Sequence, residues 1–410
     1  MPGYGLDVHT DNPDLVTVVG VGAGGWADLG RTPQQALLAA QVVFGSDRQL
    51  DLLPAEVVAE RVAWPSPLLP ALPGLIESHA GRRRAVLASG DPMFHGIGAT
   101  LVRLLGASRV RALPHPSSAS LAAARLGWPL ATTEVVSLVT ADPAVLRRAL
   151  NPGRRLLVLA RDASTPAEVA AQLASCGYGD AAITVLSRLG GPSEHVVTGT
   201  ASVWEHPPGD PLAVLGIECG DGPRRSIVPG LEDSAYENDG QLTKREIRAV
   251  TLAALAPVPG ALLWDVGAGS GSIGIEWMRS HPSCRAVAIE SHGDRVSAIR
   301  RNASALGVPG LQVVSGTAPA ALAGLPAPDT IFVGGGLTRD GVLDACLAAL
   351  PPGGRLVANA VTLETEAVLA AAYGKLGGDL TRVAVNRASP VGGFTGWRAM
   401  MPVTIWSVTR

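Results

Sequence analysis

Leu262-Leu-Trp-Asp265-Val-Gly267-Ala-Gly269-Ser-Gly271 is the most informative stretch of this 410-residue chain. It predicts a strand over residues 262–266 that runs directly into closely spaced glycines. Glycine allows a backbone to approach a ligand at positions where any β-carbon would clash. We therefore expect an α/β fold with a ligand at the carboxyl end of this strand.

An acidic residue, Glu290, closes the next predicted strand in the run Ala286-Val-Ala-Ile-Glu290. A carboxylate at such a position can accept both hydrogen bonds from the 2′,3′-diol of a ribose. A dinucleotide site would place a pyrophosphate on a G-x-G-x-x-G turn, whereas here Asp265 precedes the glycines at 267, 269, 271 and 274. An acidic residue at this strand end suits the positively charged methionine portion of S-adenosylmethionine and would repel a pyrophosphate. The residues favour S-adenosylmethionine, while a dinucleotide site or a turn that serves only packing stays open.

The composition predicts two domains and a cytoplasmic location. Hydrophobic residues make up 47% of the chain, charged residues 17%, and the formal net charge is −2, so neither a nucleic acid nor an anionic membrane is indicated as a partner. Residues 1–14 contain Asp7, Asp11 and Asp14, unlike a secretory signal, and every apolar run is shorter than the roughly 20 residues of a membrane span. The four cysteines lie far apart, so no metal site is expected.

Short β-branched runs alternate with Ala- and Leu-rich stretches, which is typical of helices layered on mostly parallel sheets. In the first half the predicted strands cover residues 15–20, 42–45, 85–88, 110–113, 135–139, 156–160, 182–186 and 212–217. These are too many for one small sheet, and the Pro- and Ser-rich residues 113–120 predict a break between two subdomains. In the second half the predicted strands cover residues 262–266, 286–290, 311–314, 330–333, 355–358, 381–385 and 403–408, the last two as an antiparallel pair.

The Gly- and Pro-rich residues 219–240 predict a linker between domains over 1–218 and 241–410. After the linker, Thr243-Lys-Arg-Glu246 has the form of a capping box and predicts a helix start at Thr243. We find no repeat of fixed period, so the chain is predicted to be a fusion of two different folds.

The second half resembles the class I methyltransferases, in particular those that methylate C15 and decarboxylate a precursor of cobalamin. Besides the glycine turn, the resemblance depends on three stretches: Gln241-Leu-Thr-Lys-Arg-Glu-Ile-Arg248, Gly316-Thr-Ala-Pro-Ala-Ala-Leu322 and Gly353-Gly-Arg-Leu-Val-Ala-Asn-Ala-Val-Thr-Leu-Glu-Thr365. It implies a Rossmann-like, mostly parallel seven-stranded sheet that binds S-adenosylmethionine. The cofactor contacts would come from Thr243, Asp265, Gly267, Ala268, Gly269, Ser270, Gly271, Glu290 and Ala318.

The first half resembles the class III tetrapyrrole methylases, which have two α/β subdomains. This resemblance depends on Val86-Leu-Ala-Ser-Gly90-Asp91-Pro92-Met-Phe-His-Gly-Ile-Gly98 and His115-Pro-Ser-Ser118-Ala-Ser120. It implies a second S-adenosylmethionine, or its product S-adenosylhomocysteine, at Gly90, Asp91, Pro92 and Ser118. This half would methylate C5.

Together the resemblances imply a bifunctional enzyme that methylates C5 and C15 of a tetrapyrrole and removes the carboxyl group of its ring C acetate. Arginine is the suitable partner for the carboxylates of such a substrate, which makes Arg245, Arg248, Arg387 and Arg398 candidates. Asn359, at the end of a predicted strand, is a further substrate candidate, and no general base is assigned. We also expect a homo-oligomer, a tetramer through the C-terminal domain being one form. A cobalt-containing substrate, and a chain with only one catalytic half, stay open.

Overall fold

The computed structural model describes residues 14–410, which form two compact units. One unit consists of the chain up to Ala141 together with Pro152–Gly222, and the other of Asp142–Asn151 together with Pro223–Arg410. The residues expected to form a linker therefore belong to the second unit from Pro223 onward, and Leu231 and Tyr236 are buried in its core. Among the described residues, no helix combines the length and the apolar composition needed to cross a membrane.

The first unit contains two five-stranded sheets, which confirms the predicted break between residues 113 and 120. The first sheet is parallel, with the order β3-β2-β4-β1-β5, and the second is mixed, with the order β6-β7-β10-β8-β9. The strands are β1 Val16–Val21, β2 Val42–Gly45, β3 Glu60–Ala63, β4 Arg84–Ser89, β5 Val110–Leu113, β6 Glu134–Ser137, β7 Arg155–Leu159, β8 Ala182–Ser187, β9 His195–Thr200 and β10 Ala213–Glu218. The helices are α1 Arg31–Ala39, α2 Asp47–Leu50, α3 Leu68–Glu77, α4 Ile97–Leu105, α5 Ser118–Leu126 and α6 Thr165–Ser175.

The second unit contains a seven-stranded sheet with the order β13-β12-β11-β14-β15-β19-β16. Its strands are β11 Leu262–Val266, β12 Arg285–Glu290, β13 Gln312–Ser315, β14 Thr330–Val333, β15 Arg355–Ala360, β16 Asp379–Val383 and β19 Val403–Thr409, with the separate hairpin β17 Asn386–Val391 and β18 Phe394–Ala399. Its helices are α7 Arg245–Leu255, α8 Ser272–Ser280, α9 Gly293–Ala305, α10 Val342–Ala349 and α11 Leu363–Leu376. The first five strands of the order are parallel, and β19 is antiparallel to both of its neighbours, so the fold class is confirmed.

Alternation along the central strand β11 explains why helices cover both faces of this sheet. Leu263 points into the core beneath α7, α8 and α9, whereas Leu262 and Trp264 point into the core beneath α10 and α11. The chain passes from β11 to β12 on one side and later to β14 on the other. The strand order therefore reverses around β11, which is where open α/β sheets bind ligands.

The predicted capping box at Thr243 is wrong. Helix α7 begins at Arg245 after the cap residue Lys244, so Thr243 lies one position too early to cap it. Glu246 instead forms an ion pair with Arg387 of β17, with 2.5 Å between Nη2 and Oε2. The acid that suggested the box therefore fastens the hairpin to α7.

The buried carboxylate of Glu276 in α8 holds residues 230–236 against the rest of the second unit. It accepts hydrogen bonds from the backbone N–H groups of Gly230 at 2.6 Å and Leu231 at 3.1 Å, and from Tyr236 Oη at 2.8 Å. Its charge is balanced by Arg248 Nε at 2.6 Å, and both side chains are almost completely buried. This cluster makes Glu276 a principal stabilising residue of the unit.

We predict that Glu276→Gln destabilises the second unit by about 3–5 kcal/mol, because it leaves the buried Arg248 guanidinium without its counter-charge. Glu237→Gln is the matched control, since Glu237 pairs with Arg301 on the exposed surface and its loss should shift the unfolding transition much less. Scanning calorimetry of the full chain measures both variants. Equal shifts of the unfolding transition in the two variants would contradict the assigned role of Glu276.

Candidate functional site

A cavity of about 750 Å³ lies at the carboxyl ends of the strands of the second unit. Its walls come from the loops that follow β11, β12, β13, β14 and β15 and from the residues that precede α7. The lining includes residues 240–244, 266–270, 289–292, 316–318, 334–336 and 359–362. The ligand site expected at the end of the first strand of this half is therefore a real cavity.

The glycine turn has two functions, which the structure separates. A β-carbon on Gly267 would lie 2.7 Å from the backbone N of Gly335, and one on Gly271 would lie 2.9 Å from the Ile299 side chain. Internal packing therefore explains these two glycines. A β-carbon on Gly269 would have only the Gln241 carbonyl oxygen near it among the described residues, at 3.4 Å. Gly269 therefore presents its backbone to the cavity.

Glu290 is held at the cavity wall by backbone groups. It is 4% exposed, its Oε2 accepts a hydrogen bond from Gly269 N–H at 2.8 Å, and its Oε1 accepts from Ser291 and His292 N–H at 2.8 and 2.9 Å. A carboxylate oxygen can accept two hydrogen bonds, so Oε2 keeps a lone pair for a ligand hydroxyl group. The geometry thus supports the predicted ribose contact.

Asp265, which the resemblance also predicted to contact the cofactor, does not reach the cavity. It is completely buried in β11 and lies outside the lining that the described residues give to the cavity. Its Oδ2 accepts a hydrogen bond from Gly274 N–H of α8 at 2.9 Å, while Oδ1 has no partner among the described residues. Burial, together with the nearby Glu290 charge, raises the pKa of Asp265 to about 7. The predicted direct contact with the cofactor is wrong, and Asp265 instead stabilises the start of α8.

Seven of the other residues predicted to contact the cofactor line the cavity: Thr243, Gly267, Ala268, Gly269, Ser270, Glu290 and Ala318. Gly271 lies outside the described lining because it packs against Ile299. The substrate candidate Asn359 lines the cavity. Its Nδ2 donates to Thr251 Oγ1 at 2.8 Å, and its buried Oδ1 has no partner among the described residues. Asn359 is thereby fixed with an acceptor atom still unused.

The predictions for Arg245 and Arg248 as substrate residues are corrected by the structure. The Arg248 side chain is fully buried and forms the ion pair with Glu276 described above. Arg245 lies on the exposed side of α7, where its guanidinium pairs with Glu232. Neither residue belongs to the cavity lining formed by the described residues. Arg387 is likewise paired, with Asp233 and Glu246.

Several other residues line the cavity that the sequence did not indicate as site residues. They are Gln241, Leu242, Lys244, Ser291, His292, Arg295, Gly334, Gly335, Gly336, Arg339, Met400 and Met401. The run Gly334-Gly-Gly336 directly after a predicted strand was a usable signal, because it repeats the pattern that identified the turn after β11.

Within the described residues, no three His, Cys, Asp or Glu side chains group closely enough to hold a metal ion.

In the first unit the structure brings Gly90 and Ser118 together. Gly90 has φ +62°, donates its N–H to Val21 O at 3.0 Å, and a β-carbon on it would lie 3.2 Å from Ser117 Cα and 3.5 Å from Ser118 N. Asp91 Oδ1 accepts from Met93 N–H at 2.8 Å and so shapes the loop. Pro92 is buried and Ser118 is the exposed first residue of α5. The role of these four residues in cofactor binding stays a prediction.

The second unit is a doubly wound α/β fold with a cavity that suits a nucleoside, and the first unit contains two separate sheets. Together they are two methyltransferase folds fused in one chain. The family model described as tetrapyrrole (corrin/porphyrin) methylases matches residues 15–203, and the precorrin methyltransferase domain matches residues 234–410. The chain is 47% identical to a precorrin-6Y C(5,15)-methyltransferase [decarboxylating] of Sinorhizobium sp. over 98% of its own length and 99% of the relative. A protein of the same description from Mycobacterium tuberculosis is 49% identical over 97% of this chain and 100% of the relative.

The chain therefore belongs to the family of precorrin-6Y C(5,15)-methyltransferases (decarboxylating). A crystal structure of the C-terminal domain of such an enzyme from Rhodobacter capsulatus is 46% identical, with a TM-score of 0.43, and covers 45% of this chain and 100% of that one. Membership of this methyltransferase family implies S-adenosylmethionine as the methyl donor.

The raised pKa of Asp265 gives a prediction for stability. Between pH 4 and about 7 the folded chain keeps a proton that the unfolded chain releases, so this residue lowers stability as the pH rises, by up to roughly 4 kcal/mol. Asp265→Asn removes the titration and should unfold at a higher temperature than the wild type at pH 8, but not at pH 5. Calorimetry at both pH values measures the difference. An unchanged pH dependence in the variant would contradict the assignment.

Proposed function

We propose that this chain methylates C5 and C15 of precorrin-6Y with S-adenosylmethionine and removes the carboxyl group of the ring C acetate, giving precorrin-8X in cobalamin biosynthesis. The relatives that share this description match the chain over nearly its whole length. The observation that carries the proposal is the placement of Glu290 against Gly269 at the cavity wall, because an adenosine cofactor needs a carboxylate for its ribose beside an open glycine turn.

The second unit is the C15-methylating and decarboxylating domain in this proposal. Its residues fit S-adenosylmethionine: Gly269 leaves backbone open to the cavity, Glu290 offers an acceptor for the ribose, and Thr243 and Ala318 lie on the adjoining walls. When bound, S-adenosylmethionine supplies an electrophilic methyl group on a sulfonium that becomes a neutral thioether. The protein must therefore chiefly align a nucleophilic carbon and exclude water, and it needs no strong base for methyl transfer.

Asn359 is the side chain best placed to orient the substrate in this unit. It lies at the end of β15, its Nδ2 is fixed by Thr251, and the residue lines the cavity, where it can contact a pyrrole ring of the substrate. Apolar side chains of Ile247, Met400, Met401 and Val403 form the neighbouring wall, which suits the face of a macrocycle.

The first unit is the C5-methylating domain in this proposal, with its cofactor at Gly90, Asp91, Pro92 and Ser118. Support comes from the match of residues 15–203 to the tetrapyrrole methylases and from the contact between the Gly90 loop and the start of α5. One cofactor site per unit follows. The C5-methylating domain corresponds to the first unit and the C15-methylating domain to the second unit, whose main segment begins at Pro223.

We predict that isothermal titration calorimetry with S-adenosylhomocysteine finds two sites per chain and that Glu290→Ala weakens one of them roughly 10- to 100-fold. The variant loses the hydrogen bond from a ribose hydroxyl group to the charged acceptor Oε2, which is worth about 1.5–3 kcal/mol. Glu290→Gln keeps an acceptor oxygen and should lose less. Glu237→Ala, at an exposed carboxylate of the same unit, should leave both sites unchanged. A single site in the wild type would rule out the two-domain proposal.

Turnover provides the direct test of the proposed reaction. Incubation of the full chain with precorrin-6Y and methyl-labelled S-adenosylmethionine should give a product that has gained two methyl groups and lost one carbon dioxide by mass spectrometry. A product with one added methyl group would instead support a chain with one catalytic half. Turnover restricted to the cobalt-containing substrate would support the alternative substrate.

A further inference from the structure

The cavity of the second unit divides into two regions on either side of β11. Glu290 and the residues 316–318 follow β12 and β13 on one side, where the proposed cofactor contacts lie. The loops after β14 and β15 and the residues near β19 form the other side. Because ligands meet at the reversal of strand order, the second region is the place for the methyl acceptor.

Three Lys and Arg side chains line this cavity, and only one of them forms an ion pair with a carboxylate among the described residues. Arg295 forms an ion pair with Asp239, with 2.7 Å between Nη2 and Oδ2. The side chains of Lys244 and Arg339, in contrast, form no hydrogen bond or ion pair with any residue that the structure describes. Two cationic groups at the cavity are therefore available to a ligand.

Both available cations belong to the acceptor region. Lys244 immediately precedes α7, a helix that packs on β14, β15 and β19, and Arg339 lies in the loop between β14 and α10. The lining of the same cavity also includes the apolar side chains of Ile247, Met401 and Val403. A flat, apolar ring system with anionic groups on its rim has the shape and charge that complement this arrangement.

We propose that Lys244 and Arg339 bind two carboxylate side chains of the tetrapyrrole and thereby fix which carbon of the macrocycle faces the methyl donor. This inference rests on the proposed function and names the substrate-orienting residues of the C15 domain. Arg339 can hold a carboxylate through two parallel N–H groups, whereas Lys244 acts as a point charge on a flexible stem. The two residues come from different loops, and in this proposal each binds its own carboxylate of the macrocycle.

The test uses the full chain with precorrin-6Y and S-adenosylmethionine. Lys244→Gln and Arg339→Gln should each raise the KM for precorrin-6Y about 5- to 50-fold, as expected for a partly exposed charge-assisted hydrogen bond. The KM of the wild type should rise with salt concentration, and the double variant should lose most of this increase. The affinity for S-adenosylhomocysteine should stay within about twofold of the wild type, because the cofactor region is unchanged.

Arg339→Lys should recover part of the lost affinity, since it restores the charge without the paired N–H groups. Arg245→Gln is the matched control, because Arg245 adjoins Lys244 in sequence but pairs with Glu232 outside the cavity. The loss in the Lys244 and Arg339 variants should be confined to C15 methylation and decarboxylation, with C5 methylation retained.

Two results would overturn the inference alone. One is a double variant with the KM and salt dependence of the wild type, and the other is an equal loss of S-adenosylhomocysteine affinity, which would mean a structural or cofactor role. A wild-type chain that binds precorrin-6Y without any methyl transfer would instead overturn the proposed function. The two failures are thus distinguishable.

Discussion

The hydrogen bond from Gly269 N–H to Glu290 Oε2 is the interaction on which the site of the second unit depends. It joins the loop after β11 to the end of β12, so the open glycine and the carboxylate keep a fixed relation. Two further backbone N–H groups, from Ser291 and His292, hold the other carboxylate oxygen. The Glu290 carboxylate is therefore positioned by backbone geometry and needs little rearrangement to bind a ligand.

Charges in this unit separate into those that stabilise the fold and those that remain for a ligand. Glu276 neutralises Arg248 in the core, and Arg387 is paired with Glu246 at the surface. A buried cation without a partner would be costly, so Arg248 cannot be released for substrate binding. Lys244 and Arg339 lie where water can solvate them, and they can exchange that water for carboxylates.

The sequence predicted the layered fold and most of the cofactor loop, but it could not show the direction of individual side chains. Asp265 is the penultimate residue of β11, and Glu290 is the last residue of β12. The register between the strands, which one sequence does not give, places Asp265 beside Ala288, two positions before Glu290. Both acids therefore lie on the same face of the sheet, but Asp265 is covered by α8, whereas Glu290, at the strand end, reaches the cavity. The strands that were not predicted, β3, β9, β17 and β18, are exposed and carry polar residues among apolar ones. Their pairing comes from neighbouring strands, which local periodicity does not record.

The position of Arg248 on helix α7 explains why this residue does not bind substrate, and that position could be read from the sequence. Ile247, Thr251 and Leu255 form the buried face of α7, and Arg248 belongs to the same face because it lies next to Ile247 and three residues before Thr251. Arginine chemistry suggested a substrate contact, while the position on the helix required a buried counter-charge. The helical periodicity places the Arg248 side chain in the core although its charge favours the surface. The buried charge then needs a partner of opposite charge in the core. Glu276 is that partner, which is why the second unit includes a buried ion pair and why Arg248 is not available to a ligand, whereas Lys244 and Arg339 line the cavity from outside the helices.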